Sequence, residues 1–308
     1  MAKCVEPCIA DSLCARLAGV IELRAGKAHC TISPDEGGRI ASLRVANTQL
    51  LVERPLDGSD PDPMSWGCYP MAPWAGRIRH GRFNFRGVEY HLVINLTPHA
   101  IHGTVFTRAW HVDLVEDDAV SMSCTFGPTW PLGGFVTQRI ELHPDSLVCE
   151  LTVTATNTEM PAQVGWHPWF VKPHSASLAF ANMYARDGEG IPTGTLVTPH
   201  DGPWDDCFTQ PLEPLELRYR TAATAVAKTA VVDTVVVTIS SDCDHWTVYD
   251  QPHHATCVEP QSGPPDGFNL EARAAHSTTI LGPGEALQRS MHIGWREIAE
   301  REPESTPD

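Results

Sequence analysis

The sequence is poor in positive charge. It contains 22 lysine and arginine residues against 38 aspartate and glutamate residues, for a formal net charge of −16, and its basic residues form no dense run. Nucleic-acid binding needs a basic face that neutralises phosphates, and anionic membrane surfaces attract basic segments. The composition therefore argues against nucleic acid and membranes as partners and favours a neutral small molecule or a protein.

Long apolar runs are also missing. No uninterrupted apolar stretch reaches the roughly 20 residues of a membrane-spanning helix. Near the start of the chain, Glu6, Pro7, Asp11 and Arg16 interrupt the apolar residues, so this segment lacks the long apolar region of a signal peptide. We therefore expect a cytoplasmic protein whose ten cysteines are reduced thiols.

The cysteines do not form tight pairs. Cys4, Cys8 and Cys14 are spaced too widely for the CxxC pairs of a zinc ribbon, and no fourth ligand follows at a recognisable spacing. His253 and His254 are adjacent but belong to no HExxH-type pattern. We therefore expect no metal site.

Strand-like alternation is the main pattern that is present. The 26 prolines and 23 glycines interrupt the chain too often for long helices, and residues 269–276 are the best of a few short helix candidates. Alternating apolar residues predict a half-buried strand over 146–155 and a hairpin over 82–92 that turns near Arg86 and Gly87. Many strands with polar turns predict an all-β sandwich or barrel.

The C-terminal third continues the strand pattern. Residues 230–240 are rich in β-branched side chains, and residues 278–293 predict two strands around a turn. We expect one domain over residues 1–295, in which residues 1–18 form an irregular extension. Residues 296–308 are charged and contain proline, so we expect a disordered tail there.

Polar and aromatic residues concentrate where strand patterns break off, in the four segments 73–81, 98–103, 164–170 and 257–266. In two of these segments a candidate acid–base residue directly precedes a proline, His167 in one and Glu259 in the other. A residue before proline is driven into extended geometry. This local stiffness suits preorganised acid–base groups, and it suits an ordinary strand terminus equally well.

Each candidate residue has a functional and a structural interpretation. Glu259 is a candidate base if its face of the strand lines a cleft that desolvates it, and a surface glutamate otherwise. His102 can be a turn residue, and Arg77 can be a surface charge. Trp166 and Trp169 can pack in a core or stack on the apolar face of a sugar ring.

Taken in order, the segments resemble the aldose 1-epimerase (galactose mutarotase) family. The resemblance begins near residues 32–43 and ends near 281–285, so it spans most of the chain. Its motifs are R-I-R-H-G-R-F at 77–83, H-A-I-H-G at 99–103, G-W-H-P-W-F at 165–170 and E-P-Q-S-G-P-P-D at 259–266. Four such pieces in the same order, with a closing P-G-E turn, make a specific signal.

The resemblance implies a fold and an activity. The fold is a large antiparallel β-sandwich, the galactose mutarotase-like supersandwich, with few short helices and a sugar cleft on a concave sheet face. The activity is that of an isomerase, a mutarotase that interconverts the α and β anomers of a free aldohexose by general acid–base catalysis. A monosaccharide is then the small-molecule substrate. No cofactor is expected, because no electrons leave and no group is transferred.

The resemblance also implies roles for particular residues. Glu259 matches the family's general base and His167 its general acid, and a nearby carboxylate would favour the imidazolium form of that histidine. His102 matches a second active-site histidine, and Arg77 matches an arginine that binds sugar oxygens. Trp169 stands where the family has tyrosine, so a hydroxyl group is absent at this position.

Three further expectations concern the substrate-binding part of the site. The family's sugar-binding aspartate matches Asp205 better than its rival, Asp206. Trp166 is expected to contact the substrate together with Trp169. The family's asparagine before the sugar-binding arginine is replaced here by Gly76, so one side-chain hydrogen bond is absent.

Other functions remain open at this point. A hexose 6-phosphate mutarotase would need additional cations near the sixth carbon, and strand alternation sends Arg82 to the face opposite Arg77 and Arg79. A non-catalytic sugar-binding protein is the other alternative, which the presence of both histidines and Glu259 argues against. A glycosidase would need a convincing second carboxylate, which the sequence does not supply. The protein can be a monomer or, through exposed strand edges, a homodimer.

Overall fold

The computed structural model describes residues 19–55, 59, 61–220, 231–270 and 278–301. Within these ranges the chain forms 25 strands, a short helix α1 at Gly267–Leu270 and two single-turn 3₁₀ helices. The strands of the first half are β1 Ile21–Ala25, β2 Ala28–Ser33, β3 Arg39–Val45, β4 Thr48–Gln49, β5 Cys68–Met71, β6 Arg77–Ile78, β7 Arg82–Phe85, β8 Val88–His91, β9 Ala100–Ile101, β10 His111–Val115, β11 Ala119–Thr125, β12 Phe135–Leu142 and β13 Ser146–Thr154. Those of the second half are β14 Met160–Ala162, β15 Gly165–Val171, β16 Ser175–Ser177, β17 Met183–Arg186, β18 Pro192–Val197, β19 Asp205–Phe208, β20 Leu215–Arg220, β21 Val231–Ser241, β22 His245–Tyr249, β23 Ala255–Gln261, β24 Thr279–Leu281 and β25 Ala286–Arg301.

Two large antiparallel sheets contain most of these strands. The larger has eleven strands in the order β1-β2-β3-β5-β15-β23-β22-β19-β17-β18, with β4 paired to β3. The smaller has eight strands in the order β10-β11-β12-β13-β25-β21-β20-β16. Three two-stranded ribbons, β14-β24, β6-β9 and β7-β8, complete the fold.

Alternation along the strands explains how the two sheets pack. In β13, Leu151 is fully buried while its neighbour Thr152 is partly exposed. In β15 and β23 of the other sheet, Trp166 and Val258 are fully buried in the same apolar cluster as Leu151. The indole Nε1 of Trp166 also donates to Oε1 of Gln138 in β12 at 3.3 Å, a hydrogen bond between the sheets. The inner faces of the two sheets therefore enclose one core, and the fold is a large antiparallel β-sandwich.

Most of the predicted strands are present. The hairpin at β7 and β8 has the expected turn, because Phe85 pairs with Val88 on either side of Arg86 and Gly87. The predicted strands over 146–155 and 230–240 correspond to β13 and β21. The two C-terminal strands also form, but β24 pairs with β14 while β25 lies between β13 and β21, so the turn between them does not close a hairpin.

The predicted disordered tail begins too early. Strand β25 continues to Arg301, and its residues from 296 onward pair with β21 from Val236 to Val231. The charged residues of this segment are compatible with a strand, because the backbone of β21 continues to pair with it. The exposed side chain of Arg296 forms an ion pair with Glu216 at 2.9 Å. Residues 302–308 lie outside the described residues, as do residues 1–18 with Cys4, Cys8 and Cys14, and residues 271–277 of the predicted helix.

Two further features of the described part of the chain concern its helices and its cysteines. No helix within it has the length and apolar character needed to cross a bilayer. Its seven cysteines are free, buried thiols: Cys30, Cys68, Cys124, Cys149, Cys207, Cys243 and Cys257.

The alternation of β13 gives a direct test of the sandwich. Replacing Leu151 by alanine removes a fully buried side chain from the core between the sheets. This change should lower the free energy of unfolding by about 3 kcal/mol, because it combines lost transfer energy with a cavity. The neighbouring control, Thr152→Ala, points to the other face and should change the same quantity by less than about 0.5 kcal/mol. Urea unfolding followed by tryptophan fluorescence measures both, and equal losses would contradict the assigned faces.

Candidate active site

The candidate site lies on the outer face of the eleven-stranded sheet, at β5, β15, β23, β22 and β19. Period two decides which side chains reach this face. In β15, Trp166 and Phe170 point into the sandwich core, whereas His167 and Trp169 belong to the outer face. The same alternation places Glu259 of β23 on the outer face while Val258 is buried in the core.

An acid–base pair occupies the centre of this face. In the antiparallel ladder of β15 and β23, Gly165 pairs with Gln261 and Trp169 with Cys257, so His167 lies directly opposite Glu259. Its Nε2 is 3.1 Å from Oε1 of Glu259. The two side chains are only 7% and 2% exposed, respectively. The sheet register thus brings together a carboxyl group and an imidazole that are distant in sequence and holds them in hydrogen-bond contact.

A polar chain orients the carboxyl group from its other side. The amide Nε2 of Gln261 donates to Oε2 of Glu259 at 3.1 Å and to Oγ1 of Thr247 at 3.0 Å. Thr247 lies in β22 directly opposite Glu259 in the ladder. Both carboxyl oxygens therefore have a partner, which limits the rotation of the group.

Two aromatic rings surround the imidazole of His167. The ring of Tyr69 stacks on it at a centroid distance of 4.8 Å, and the ring of Trp169 is nearly parallel to it at 5.4 Å. His102 approaches edge-on, at 5.0 Å and an angle of 89°. His167 is therefore held in one orientation by rings on several sides.

His102 is positioned by an unusual backbone. Its φ is 61°, in the left-handed region that few residues other than glycine adopt, and its backbone N–H donates to the carbonyl oxygen of Gly76 at 3.0 Å. This conformation turns the chain after β9 so that the imidazole lies buried at the edge of the cleft. The strained conformation supports a functional position for this residue.

Burial sets the protonation of these groups. It raises the pKa of Glu259 well above its ordinary value, and the nearby charge of Asp205 adds to this effect. Burial lowers the pKa of His167 to about 3. For His102, burial and then the charges of His167 and Arg77 lower the pKa well below its ordinary value.

These shifts differ from the sequence-based expectation for His167. A carboxylate neighbour was expected to favour the imidazolium, but desolvation is the larger effect because both groups are almost completely removed from water. Desolvation therefore favours the neutral form of the pair, with its one proton on Glu259 and not on His167.

An ion-paired cluster lies at the other end of the cleft. Oδ2 of Asp205 is 3.6 Å from a guanidinium nitrogen of Arg77 and accepts a hydrogen bond from Arg186 at 3.1 Å. Asp206 points away, and its carboxylate contacts Nε of Arg186 at 2.9 Å and His200 at 3.5 Å. Of the two aspartates considered from the sequence, Asp205 is therefore the one that lines the cleft.

The cleft itself has a volume of about 390 Å³. A cavity near Gly19, Asp35 and Trp110 is slightly larger, at about 430 Å³, but the described residues that line it include no paired acid and base. The residues that line the cleft are Asp62, Met64, Ser65, Tyr69, Gly76, Arg77, Leu96, Ile101, His102, His167, Trp169, Asp205, Thr247, Tyr249, Gln251, Glu259, Gln261 and Pro265.

Comparison with known proteins identifies the family. The model of the family described as aldose 1-epimerase matches residues 19–294, which is most of the chain. The chain belongs to the aldose 1-epimerase family. Membership supports a mutarotase-type isomerase activity on a sugar.

One relative matches about half of the chain. An uncharacterised protein of Escherichia coli K12, YphB, is 30% identical over 160 residues, which cover 50% of this chain and 53% of the relative. The match thus spans about half the length of that protein.

Solved structures share the fold. A galactose mutarotase-like protein from Clostridium acetobutylicum superposes with a TM-score of 0.70 at 19% identity, covering 91% of this chain and 95% of the other. An aldose epimerase homologue from C. elegans has the same TM-score of 0.70 at 18% identity, covering 91% and 99% of the two chains. At these identities the likeness is one of fold.

One residue expected to contact the substrate does not reach the site of this epimerase-family protein. Trp166 is fully buried between the sheets, where its indole bonds Gln138. Trp166 and Trp169 are three residues apart in an extended strand, so they must point to opposite faces. Trp169 lines the cleft, and the prediction for Trp166 was wrong.

The structure adds residues that the sequence-based interpretation did not select. Gln261 is two residues beyond Glu259 and shares its face, so strand period was a signal that could have found it. Tyr69, Thr247 and Arg186 lie in other strands, and only the pairing of those strands brings them to the pair or to Asp205. Nothing in their local sequence distinguishes them.

The described residues contain one group that could hold a metal ion. Single donor atoms of His167, Cys257 and Glu259 lie within 4.8 Å of one another, and all three residues are buried. Cys257 is not one of the three cysteines that the sequence analysis considered for a zinc ribbon. The chemistry of the cluster therefore depends on strand pairing and not on a sequence motif.

The backbone that presents His102 can be tested with matched glycine substitutions. Gly103 has φ of 77°, and an added Cβ would overlap the carbonyl oxygen of Ala72. Gly87, at the β7–β8 turn, has φ of 79° with no atom within 4 Å of an added Cβ. Gly87→Ala should cost about 1 kcal/mol of unfolding free energy, from φ strain alone. Gly103→Ala should cost about 3 kcal/mol or more, because the overlap adds to the strain.

Thermal and urea unfolding of the two glycine variants measure this difference. Losses of equal size would mean that the loop after β9 can move away from Ala72, and that the position of His102 is not fixed by this contact.

Proposed function

We propose that this protein interconverts the α and β anomers of a free aldohexose. The observation that carries the proposal is the 3.1 Å contact between His167 and Glu259 in a cleft of about 390 Å³. Mutarotation requires one group to exchange a proton with the C1 hydroxyl and another with the ring oxygen. Because both oxygens are bonded to the same carbon, two adjacent acid–base side chains suffice to reach them.

In the proposed reaction, protons move only among Glu259, His167 and the sugar. Before ring opening, the single proton of the pair moves from Glu259 to His167 across their 3.1 Å contact. Ionised Glu259 then takes the proton of the C1 hydroxyl while the imidazolium of His167 gives a proton to the ring oxygen. The C1–O5 bond breaks, and an aldehyde and a hydroxyl result. After rotation about the C1–C2 bond, the same two transfers run in reverse and close the ring on the other face.

Burial assists this cycle. Ring opening converts an ionised pair into a neutral one, with the proton on Glu259 and neutral His167. Desolvation favours the neutral pair, as the directions of both pKa shifts indicate. The protein therefore stabilises the protonation state that accompanies the open-chain sugar, and positioned acid–base groups contribute roughly 10²–10⁴-fold each.

The remaining cleft residues are suited to hold the sugar. Arg77 and Asp205 offer a charged donor and a charged acceptor to ring hydroxyls, where a missing partner discriminates between epimers. His102 is neutral, so it can accept or donate a hydrogen bond beside the reacting oxygens. Trp169 presents an aromatic surface for the apolar side of the ring.

The cleft favours an unphosphorylated sugar over a hexose 6-phosphate. Arg79 does not line the cleft and is engaged by Asp187 and Glu189. Arg82 is exposed and points elsewhere. Among the described residues that line the cleft, Arg77 is the one guanidinium, and it already faces Asp205. A phosphate group would require additional cations.

The cleft contains a second carboxylate, that of Asp205, but this group does not meet the requirement of a glycosidase for a second acid–base residue. Two guanidinium groups contact it, from Arg77 and Arg186, so it is suited to bind a sugar and not to act as a second acid or base.

Polarimetry with freshly dissolved α-glucose, α-galactose and their 6-phosphates tests the proposal. We expect at least one free sugar to reach its equilibrium rotation faster than its spontaneous rate. The phosphates should be accelerated at least about tenfold less, because Arg77 is the one guanidinium among the described residues that line the cleft. Saturable sugar binding without acceleration would favour the alternative of a non-catalytic carbohydrate-binding protein. A preference for the phosphates would overturn the choice of substrate.

Replacing Glu259 by glutamine should lower kcat by at least about 10²-fold, because the amide keeps the shape of the side chain but cannot accept the proton. Sugar affinity and the unfolding midpoint should change little. The matched control is Glu150→Gln, an identical change on β13 of the other sheet, which should retain the wild-type rate. Undiminished turnover in the Glu259→Gln variant would exclude Glu259 as the base.

The pH dependence of kcat/KM should form a broad plateau. Below about pH 3 the imidazole of His167 gains a proton while Glu259 remains protonated, so no base is left and the rate falls. At high pH the carboxyl group loses the single proton of the pair, at a pKa well above its ordinary value, and no acid is left. Rates measured from acid to alkaline pH, with circular dichroism to confirm folding, test this. An acid limb near 6.5, the ordinary pKa of histidine, would contradict it.

A further inference from the structure

A buried cysteine lies directly beside the acid–base pair. Cys257 is two residues before Glu259 in β23 and shares its face, and in the ladder it is opposite Trp169 of β15. Its sulfur, an imidazole nitrogen of His167 and a carboxyl oxygen of Glu259 all lie within 4.8 Å of one another. None of the roles proposed for mutarotation uses this thiol.

The three donors form a set that suits zinc. Zn²⁺ binds imidazole nitrogen, thiolate sulfur and carboxylate oxygen, and sites with three protein ligands keep a fourth position for water or another small ligand. Donors around a tetrahedral Zn²⁺ are about 3.3–3.8 Å apart, given bond lengths of about 2.0–2.3 Å. Side-chain shifts of about 1 Å would close the observed group around an ion.

Charge balance favours a divalent cation in this position. A thiolate and a carboxylate together carry two negative charges, so one divalent cation with a neutral imidazole makes an uncharged cluster, which suits a site removed from water. In the metal-free cleft, burial raises the pKa of the Cys257 thiol, so the ion must displace the thiol and carboxyl protons to solvent. No electrons are transferred.

We propose that the cleft binds one Zn²⁺ ion through His167, Cys257 and Glu259, and that this ion inhibits the enzyme by occupying its acid–base pair. The inhibition rests on the proposed function, whereas the metal binding does not. The ion would compete with the sugar, because both require the imidazole of His167 and the carboxyl group of Glu259.

The other cysteines supply a matched control. Cys149 is equally buried, but it lies in β13 on the core side of the smaller sheet, within the apolar cluster between the two sheets. A Cys149→Ala variant therefore removes a buried thiol without removing a ligand. The thiols of Cys4, Cys8 and Cys14 are unchanged in all variants, so any signal from them cancels in the comparison.

The test uses the full chain after treatment with a chelator, as wild type, Cys257→Ser and Cys149→Ala. Cd²⁺, which binds thiolates and reports each bond by ultraviolet charge-transfer absorption, is the spectroscopic probe. Zn²⁺ affinity is measured by isothermal titration calorimetry with and without saturating sugar. Zn²⁺ inhibition is measured by polarimetry against each variant's own metal-free rate.

We expect one Cd–thiolate band to be absent from Cys257→Ser and present in Cys149→Ala. Zn²⁺ affinity and inhibition should weaken at least about tenfold in Cys257→Ser, since loss of even an outer-shell partner of a metal site has effects of this size. Saturating sugar should weaken Zn²⁺ binding in the wild type.

Three results would overturn the proposal. An unchanged cadmium band in Cys257→Ser would exclude Cys257 as a ligand, and equal inhibition of all three proteins would place the inhibitory ion elsewhere. Zn²⁺ affinity that is independent of sugar would exclude competition in the cleft. If the wild type shows no mutarotation with any sugar, the function fails, and the cadmium band and calorimetry still decide the metal site.

Discussion

The antiparallel ladder between β15 and β23 is the constraint on which the site depends. Its register sets His167 opposite Glu259, and the regular spacing of paired strands then brings the two functional groups to 3.1 Å. A slip of one residue in either strand would send that strand's acid–base side chain into the sandwich core and bring Trp166 or Val258 to the outer face. The fully buried indole of Trp166, hydrogen-bonded to Gln138 of the opposite sheet, resists such a slip. The core of the sandwich therefore determines the geometry of the chemistry on its outer face.

Burial of this pair is costly, and the surroundings show how the cost is offset. A lone buried carboxylate would be strongly destabilising, but here each carboxyl oxygen has a partner, one in His167 and one in Gln261. One proton shared by two groups leaves the pair without net charge. The same desolvation shifts the two pKa values in opposite directions, which favours the proton of the pair on the carboxyl group and leaves the imidazole neutral.

Strand alternation in the sequence predicted several elements of the fold correctly. The hairpin at β7 and β8 and the strand β13 follow from alternation alone, since each has one face in the core. Alternation also predicts that Trp166 and Trp169 of β15 point to opposite faces of the sheet, because they are three residues apart in a strand. The expectation for Trp166 rested instead on the ability of an indole ring to stack on a sugar. The sequence analysis ended β25 too early because it relied on composition. Composition does not show that β21 continues to pair with this segment.

The sequence by itself determined the all-β class, the family and the identity of the main polar residues, because these depend on local period and on short motifs. Only the tertiary structure decided which of them meet. Tyr69, Thr247 and Arg186 come from strands far apart in the chain, and Asp205 differs from Asp206 only in the face of β19 it occupies. The protonation of the acid–base pair also depends on the folded chain, since desolvation arises from the surrounding residues together. These properties are set by strand pairing and burial, which act between residues that no local pattern connects.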